Sequence, residues 1–400
     1  MTGKREAKSD TKLDEAVNNI ATEIRRLEED KAKLGRIIKE TRKDVDLSSL
    51  GRQITSDLLE NGFCYEVNPT NLVGLRVAGI DGGIVARSYQ NIDLILRRAV
   101  AAIFTYGTNG KLEVSYFPEE TPVPDLVSNL LPSPIPDFEL RKSIERITCE
   151  IQLAIQLQDY TKVDLIVLDG SIVPQLSDRP PSYSTLARRY ERVVELYENL
   201  YKSCIESGTL LVGVIEDSRS IRYTQIIGRL IPHLIEKVPG LKRVLELDYR
   251  RVIQQTRDTE FLQRVLDPGE RTPVFRYAES LADYPIFNDF SSKTWAGLVN
   301  VFYLRTAEYD RPIRVEYLST ESNEVLTARK TSSVILPLSS HNARYGIPSV
   351  LIEADARAHL MDGDMEIIYD QIVRKTGDSL LLKKLRREGR PFSWPSEIEP

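Results

Sequence analysis

Cysteine is scarce. Cys64, Cys149 and Cys204 are the only three in 400 residues, and no two share a CxxC spacing. That pattern excludes a disulfide framework and argues against a thiolate zinc site. Histidine is as rare, and His233, His341 and His359 form no pair three or four residues apart. An imidazole pair on one helix face is therefore absent as well. No apolar run approaches the roughly 18 residues that a membrane helix needs. The charged N-terminus lacks the apolar stretch of a secretory signal. Positive charge is not in excess either: 54 Lys+Arg against 59 Asp+Glu leave −5. A protein that coats nucleic acid by bulk charge is excluded. What remains is a globular balance, 41% hydrophobic and 28% charged. The expectation is a reduced, cytoplasmic protein with no membrane contact, built as one elaborated domain with appendages.

Residues 1–62 read as a helical arm. Leu13, Val17, Ile20, Ile24, Leu27, Leu34 and Ile38 recur in steps of three and four, with Lys31 at the polar position. This is the seam of an amphipathic helix or short coiled coil, packed on its own domain or on a second subunit. A second helix is expected at about 47–60, stopped by Asn61-Gly62. Strands follow at 75–80, 92–104 and 111–117, with Gly82-Gly83 suited to a tight turn between the first two. The proline-rich stretch 118–136 reads as loop. A helix at 138–158, a buried strand at 163–168, a helix at 184–207 and a strand at 210–215 alternate. That alternation predicts a sheet with parallel pairs. An arginine-rich helical insertion covers about 219–290. Strand patterns return at 297–305, 312–318 and 332–337, followed by helices at 349–359 and 365–376. Residues 377–400 form a basic tail.

Two motifs place an aspartate at the end of a buried strand, followed by small residues: Gly79-Ile80-Asp81-Gly82-Gly83 and Leu168-Asp169-Gly170-Ser171. Singly, each is ordinary turn chemistry. Their order carries more. A first-strand acid (Asp81), a helix acid (Glu150), a later strand acid (Asp169) and a late-helix acid (Asp355) follow the arrangement of RNase H-like nucleases. Two divalent cations about 4 Å apart can activate water and stabilise the leaving oxygen of a phosphodiester. Hard cations such as Mn²⁺ or Mg²⁺ take carboxylate oxygens from several directions.

Over roughly residues 75–360 the sequence resembles the NurA family. The resemblance rests on Ile80-Asp81-Gly82-Gly83, Arg146 to Glu150 to Ala154, Leu168-Asp169-Gly170-Ser171, Gly213-Val214-Ile215 with Ser218-Arg219-Ser220, and Ile347-Pro348 with Leu351-Ile352-Glu353-Ala354-Asp355. It implies an α/β fold: an RNase H-like mixed sheet flanked by helices, spanning 63–376. It also implies a manganese-dependent DNA nuclease, a homodimer, and a HerA-type hexameric translocase as partner in DNA end processing. By position, Asp81, Glu150 and Asp169 match the family's metal-binding acids. Asp355 falls where members carry His or Asp. Some members have Lys where this chain has Glu216, which is left out of the catalytic set. Tyr345 approximates an aromatic near the site. Arg146 and Arg219 are candidate phosphate contacts.

Two other readings stand beside the nuclease. An ATP-binding phosphotransferase of the actin and sugar-kinase type also uses Asp-Gly turns after strands, but needs a duplicated core. A non-catalytic assembly subunit of a DNA translocase needs none of the acids. The histidines are expected to pack rather than ligate. Glu353 is expected to face away from Asp355, and Asp217 to cap a helix.

Overall fold

The computed structural model describes residues 3–108, 110–278, 284–377 and 382–383. Helix α1 runs Gly3–Thr41. Only the end of its seam is covered: Leu34, Ile37 and Ile38 are buried, whereas Leu13, Val17, Ile20 and Ile24 stay exposed. The helix expected at 47–60 does not form. A single 3₁₀ turn spans Leu47–Ser49, where Asp46 accepts from the backbone and hydroxyl of Ser48. A side chain that bonds its own backbone two residues on competes with helix.

The strands are β1 (Tyr65–Glu66), β2 (Arg76–Ser88), β3 (Asp93–Tyr106), β4 (Leu112–Phe117) and β5 (Asp125–Asn129). The proline-rich stretch is thus not all loop, since β5 pairs antiparallel with β3. Helix α2 (Ile135–Tyr160), β6 (Leu165–Asp169), α3 (Ala187–Ser207) and β7 (Leu210–Ile215) follow. The insertion holds α4 (Arg222–Ile235), α5 (Tyr249–Gln254) and α6 (Asp258–Val265), with short strands β8 (Glu270–Arg271) and β9 (Phe275–Arg276). The chain closes with α7 (Trp295–Leu298), β10 (Val299–Leu304), β11 (Ile313–Leu318), α8 (Glu324–Ser339), α9 (Ser349–Ala358) and α10 (Asp362–Thr376).

One sheet organises everything, in the order β1-β8-β10-β11-β7-β6-β2-β3-β4. Its β4-β3-β2-β6-β7 half has β2, β6 and β7 mutually parallel and β3 antiparallel to β2. This is the expected RNase H-like mixed sheet. Beyond β7 the sheet continues through antiparallel β11 and β10. A second copy of the core, which the phosphotransferase reading needs, is not what extends it.

Strand parity sorts the two faces. Ala78, Ile80, Ile166 and Leu168 face a core shared with Ile144, Ile147 and Ile151 of α2. Val77, Val167, Val212 and Val214 face a core shared with Val350, Leu351 and Ala354 of α9. The segment 332–337, expected as a strand, lies inside α8. Ala328, Thr331, Ile335 and Leu338 are buried at helical spacing, so packing against the sheet overrides the β preference of its branched residues. Among the described residues no helix is long and apolar enough to cross a membrane. The basic tail lies outside the described residues apart from Gly377, Leu382 and Lys383.

Candidate active site

Parallel pairing brings the first two acids together. Ile80 pairs with Leu168, so Asp81 and Asp169 come next to each other on adjacent strands. Both continue the parity of Val77 and Val167 and face α9. Asp169 does end its strand. Asp81 does not, because β2 runs on to Ser88 and pairs with β3 throughout. Gly82 and Gly83 therefore form no turn.

The glycines serve close approach instead. A Cβ on Gly79 would lie 2.4 Å from the Val350 carbonyl oxygen, and one on Gly83 would lie 1.9 Å from that of Ala358. Helix α9 can rest directly on the strand backbone only because both side chains are missing. That contact sets Asp355 beside Asp81, where its charge raises the proton affinity of Asp81, as Asp81 raises that of Asp169. On the other face, a Cβ on Gly82 would lie 2.6 Å from Oε1 of Glu150. The missing side chain is the opening through which the α2 acid reaches the strand. The four acids named from the sequence are thus brought to one place.

Arg146 lies one turn before Glu150 and donates to its Oε1 at 2.8 Å. It pairs with an acid at the site's inner wall. Glu353 turns away, accepting from Tyr116 and Arg357. Asp217 pairs with Arg311 rather than capping a helix. Nδ1 of His341 faces the Leu338 carbonyl, and the His359 carbonyl accepts from Arg98.

Glu216, left out at the sequence level, lies beside the four. Asp169 pairs with Val214 of β7, and Glu216 continues the parity of Val212 and Val214 two residues on. It acts electrostatically on Asp169 and is itself acted on by Asp355. The signal was present in Val212-x-Val214-x-Glu216, but it needed the order β2-β6-β7 to be read. Tyr345 donates its hydroxyl to Glu216 Oε1 at 3.0 Å, at the rim of the site. Arg219 lines an adjoining cavity of about 720 Å³ with Arg146, Ser171, Arg222, Arg314 and Glu316. In that wall Glu316 accepts from Ser171 and Arg314, a buried pair that sequence patterning did not single out.

Burial and mutual repulsion dominate the electrostatics. Burial, opposed by Arg146 and aided by Asp81 and Asp169, pushes Glu150 up to about 8. Burial first and Asp81 second push Asp169 up to about 7. Asp81 is raised by burial and by Asp355. Glu150 in turn raises the Arg146 guanidinium. Carboxyls crowded away from water hold protons unless positive charge joins them. Among the described residues no three acid, cysteine or histidine side chains hold an ion-binding geometry as they stand. Glu150 is engaged by Arg146, and Asp81 by its neighbouring carboxyls. In kind, however, an all-carboxylate donor set with raised proton affinity fits a hard divalent cation.

Comparison with known proteins agrees with this architecture. No curated protein sequence matches the chain. Among solved structures, the NurA nuclease from Sulfolobus solfataricus is similar at 17% identity, covering 97% of this chain and 99% of that one, with a TM-score of 0.51. A NurA bound to dAMP and manganese is 9% identical, covers 95% and 99%, and has a TM-score of 0.46. The first likeness shows a shared fold. The model of the NurA domain matches residues 75–360, well over half of the chain and the span that holds every acid of the site. This chain therefore belongs to the NurA family.

Proposed function

We propose that this chain is a metal-dependent nuclease that hydrolyses DNA phosphodiesters at the β2-β6-α9 edge. The observation that carries the reading is the convergence of Asp81, Glu150, Asp169 and Asp355 around one arginine, Arg146. Asp81, Glu150, Asp169 and Asp355 would hold the cations, with Mn²⁺ first and Mg²⁺ second. Bound there, divalent cations supply Lewis-acid activation of water and neutralise charge on the scissile phosphate.

The chain's own groups do the positioning. Gly79 and Gly83 let α9 deliver Asp355, and Gly82 admits Glu150. Arg146 lines the cavity and sits on the buried Glu150, placed to meet a phosphate when Glu150 turns to a cation. Arg219 and Tyr345 stand at the rim, where the substrate backbone enters. Burial and mutual repulsion raise the proton affinity of Asp81 and Asp169, and positive charge bound there would offset that repulsion.

By family, a homodimer working with a HerA-type hexameric ATPase in DNA end processing completes the reading. The test uses end-labelled single- and double-stranded DNA with Mn²⁺, with and without such a translocase, and the mass of the free protein in solution. Full activity of well-folded Asp169→Asn or Asp81→Ala would overturn the site.

A further inference from the structure

The acids of the active site contribute no attraction of their own for a substrate backbone, because five carboxyl groups (Asp81, Glu150, Asp169, Glu216 and Asp355) surround it. The chain as a whole is also negative, at −5. Attraction needs local cations nearby, within about a Debye length of 8–10 Å. Most arginines of the insertion are already engaged. Arg243 pairs with Glu40, Arg264 with Glu28, and Arg222 and Arg229 with Asp57. Arg257 donates to the Arg219 carbonyl.

Arg219 and Arg250 are different, as is the exposed Arg251, which lines neither of the cavities that they border. Neither Arg219 nor Arg250 forms an ion pair among the described residues, and both side chains are exposed. Arg250 lies over the Tyr249 ring at 6.0 Å, and Asp248 reaches it only as a Coulombic neighbour. The two arginines line neighbouring cavities. Arg219 lines the one of about 720 Å³ beside the acids. Arg250 lines one of about 660 Å³ between α4 and α5. Arg222 and Gln225 border both, so the two form one trough leading away from the catalytic edge. Among the described residues the outer half is lined by no acid and by Arg222 and Arg229, both paired with Asp57, and Arg250, together with the apolar Pro232 and Ile253.

We propose that this trough is a remote binding site for the substrate strand, holding nucleotides beyond the scissile bond by phosphate contacts to Arg219 and Arg250. A cationic rim over a partly apolar floor suits an unpaired strand, whose bases are free to lie on apolar surface. A duplex keeps its bases inside and meets only the rim. This inference deepens the nuclease reading and rests on it.

The test measures binding rather than cleavage. In the full-length Asp169→Asn protein, affinity for fluorescent oligothymidylates of graded length is measured across salt concentrations. Arg250→Ala and Arg219→Ala are added singly and together. Each is expected to weaken binding of long oligomers several-fold and to lower the salt slope by about 0.7 per contact removed. Gain of affinity with length should also stop earlier. Arg250→Lys, which keeps the charge, restores most of the slope. Arg192→Ala, at an exposed side chain of α3 paired with Glu195, leaves both unchanged. Unchanged slope and affinity in the double variant would overturn the trough even if the wild-type chain cuts DNA. Equal losses for duplex and single strand would overturn the choice of an unpaired strand. If the wild-type chain cuts no DNA while the slopes fall as expected, the nuclease reading fails and the trough stands.

Discussion

Helix α2 carries two buried glutamates five residues apart, and they live in opposite surroundings. Glu145 is ringed by arginines: Arg97 at 2.6 Å, Arg189 at 2.7 Å and Arg141 at 3.9 Å. Glu150 has one arginine, Arg146, and shares its space with Asp81 and Asp169. At Glu145 positive charge outnumbers negative, and the cluster is closed. At Glu150 negative charge outnumbers positive, and proton affinity rises. A structural ion cluster settles its charges within the protein. A site that awaits a cation leaves them unsettled, and perturbed acids in a cleft are the expected sign of that.

The largest effect should come from removing the unsettled charge itself. Asp169→Asn is expected to lower Mn²⁺-dependent DNA cleavage by about 10³-fold or more, measured on end-labelled DNA with circular dichroism to confirm folding. Retained cleavage would place the chemistry elsewhere.

The two glutamates can be set directly against each other. Glu150→Gln is expected to cost about 10²-fold or more in activity with unchanged or increased stability, since it removes a buried group that resists ionisation. Glu145→Gln is expected to do the reverse. It strands arginines around a neutral side chain and should cost about 3–5 kcal/mol in urea denaturation, while the folded fraction still cleaves. If both variants behave alike, the contrast between closed cluster and open site is wrong.

A smaller effect tests how Glu150 reaches the strand. Gly82→Ala brings a Cβ to 2.6 Å from Glu150 Oε1. It should cost about 1–3 kcal/mol and reduce Mn²⁺ affinity by titration calorimetry. A wild-type affinity would mean that Glu150 does not use that opening.

The smallest effect is on pH dependence. Glu150 at about 8 and Asp169 at about 7 lie above their unfolded values. Their stabilising contribution is fully present below the unfolded carboxyl range, near pH 4, and is lost as pH rises through 7 and 8. The melting temperature of the metal-free protein should fall by a few degrees over that window. Added Mn²⁺ should reverse the fall and stabilise most at the high end, because cation binding displaces the protons. Asp169→Asn should flatten both trends. A metal-free melting temperature that rises from pH 5 to 8 would contradict the raised proton affinities.

Much of the core was legible because its signals are local. Leu165–Asp169 and Leu210–Ile215 are short apolar runs bounded by turn residues, and α2 shows helical spacing from Ile144 through Ile151. The errors arose where distant packing decides. Val334 and Ile335 carry β preference, yet the sheet face accepts them as helix. Leu47–Ser49 has helix-compatible composition, but Asp46 diverts the backbone. Gly82 and Gly83 look like turn residues when seen alone. Their reason lies in α2 and α9, about 70 and 275 residues further along.

The sequence by itself determined which residues could do chemistry. With so few cysteines and histidines, carboxylates were left as the available hard ligands, and their order pointed to an RNase H-like core. Only the tertiary structure decided which of the 59 acids converge. Parallel pairing of β2, β6 and β7 aligned Asp81, Asp169 and Glu216, which the family resemblance had set aside, while a close helix crossing added Asp355. Proton affinity and cation demand depend on how many like charges share a dry space, and that count exists only once the chain is folded.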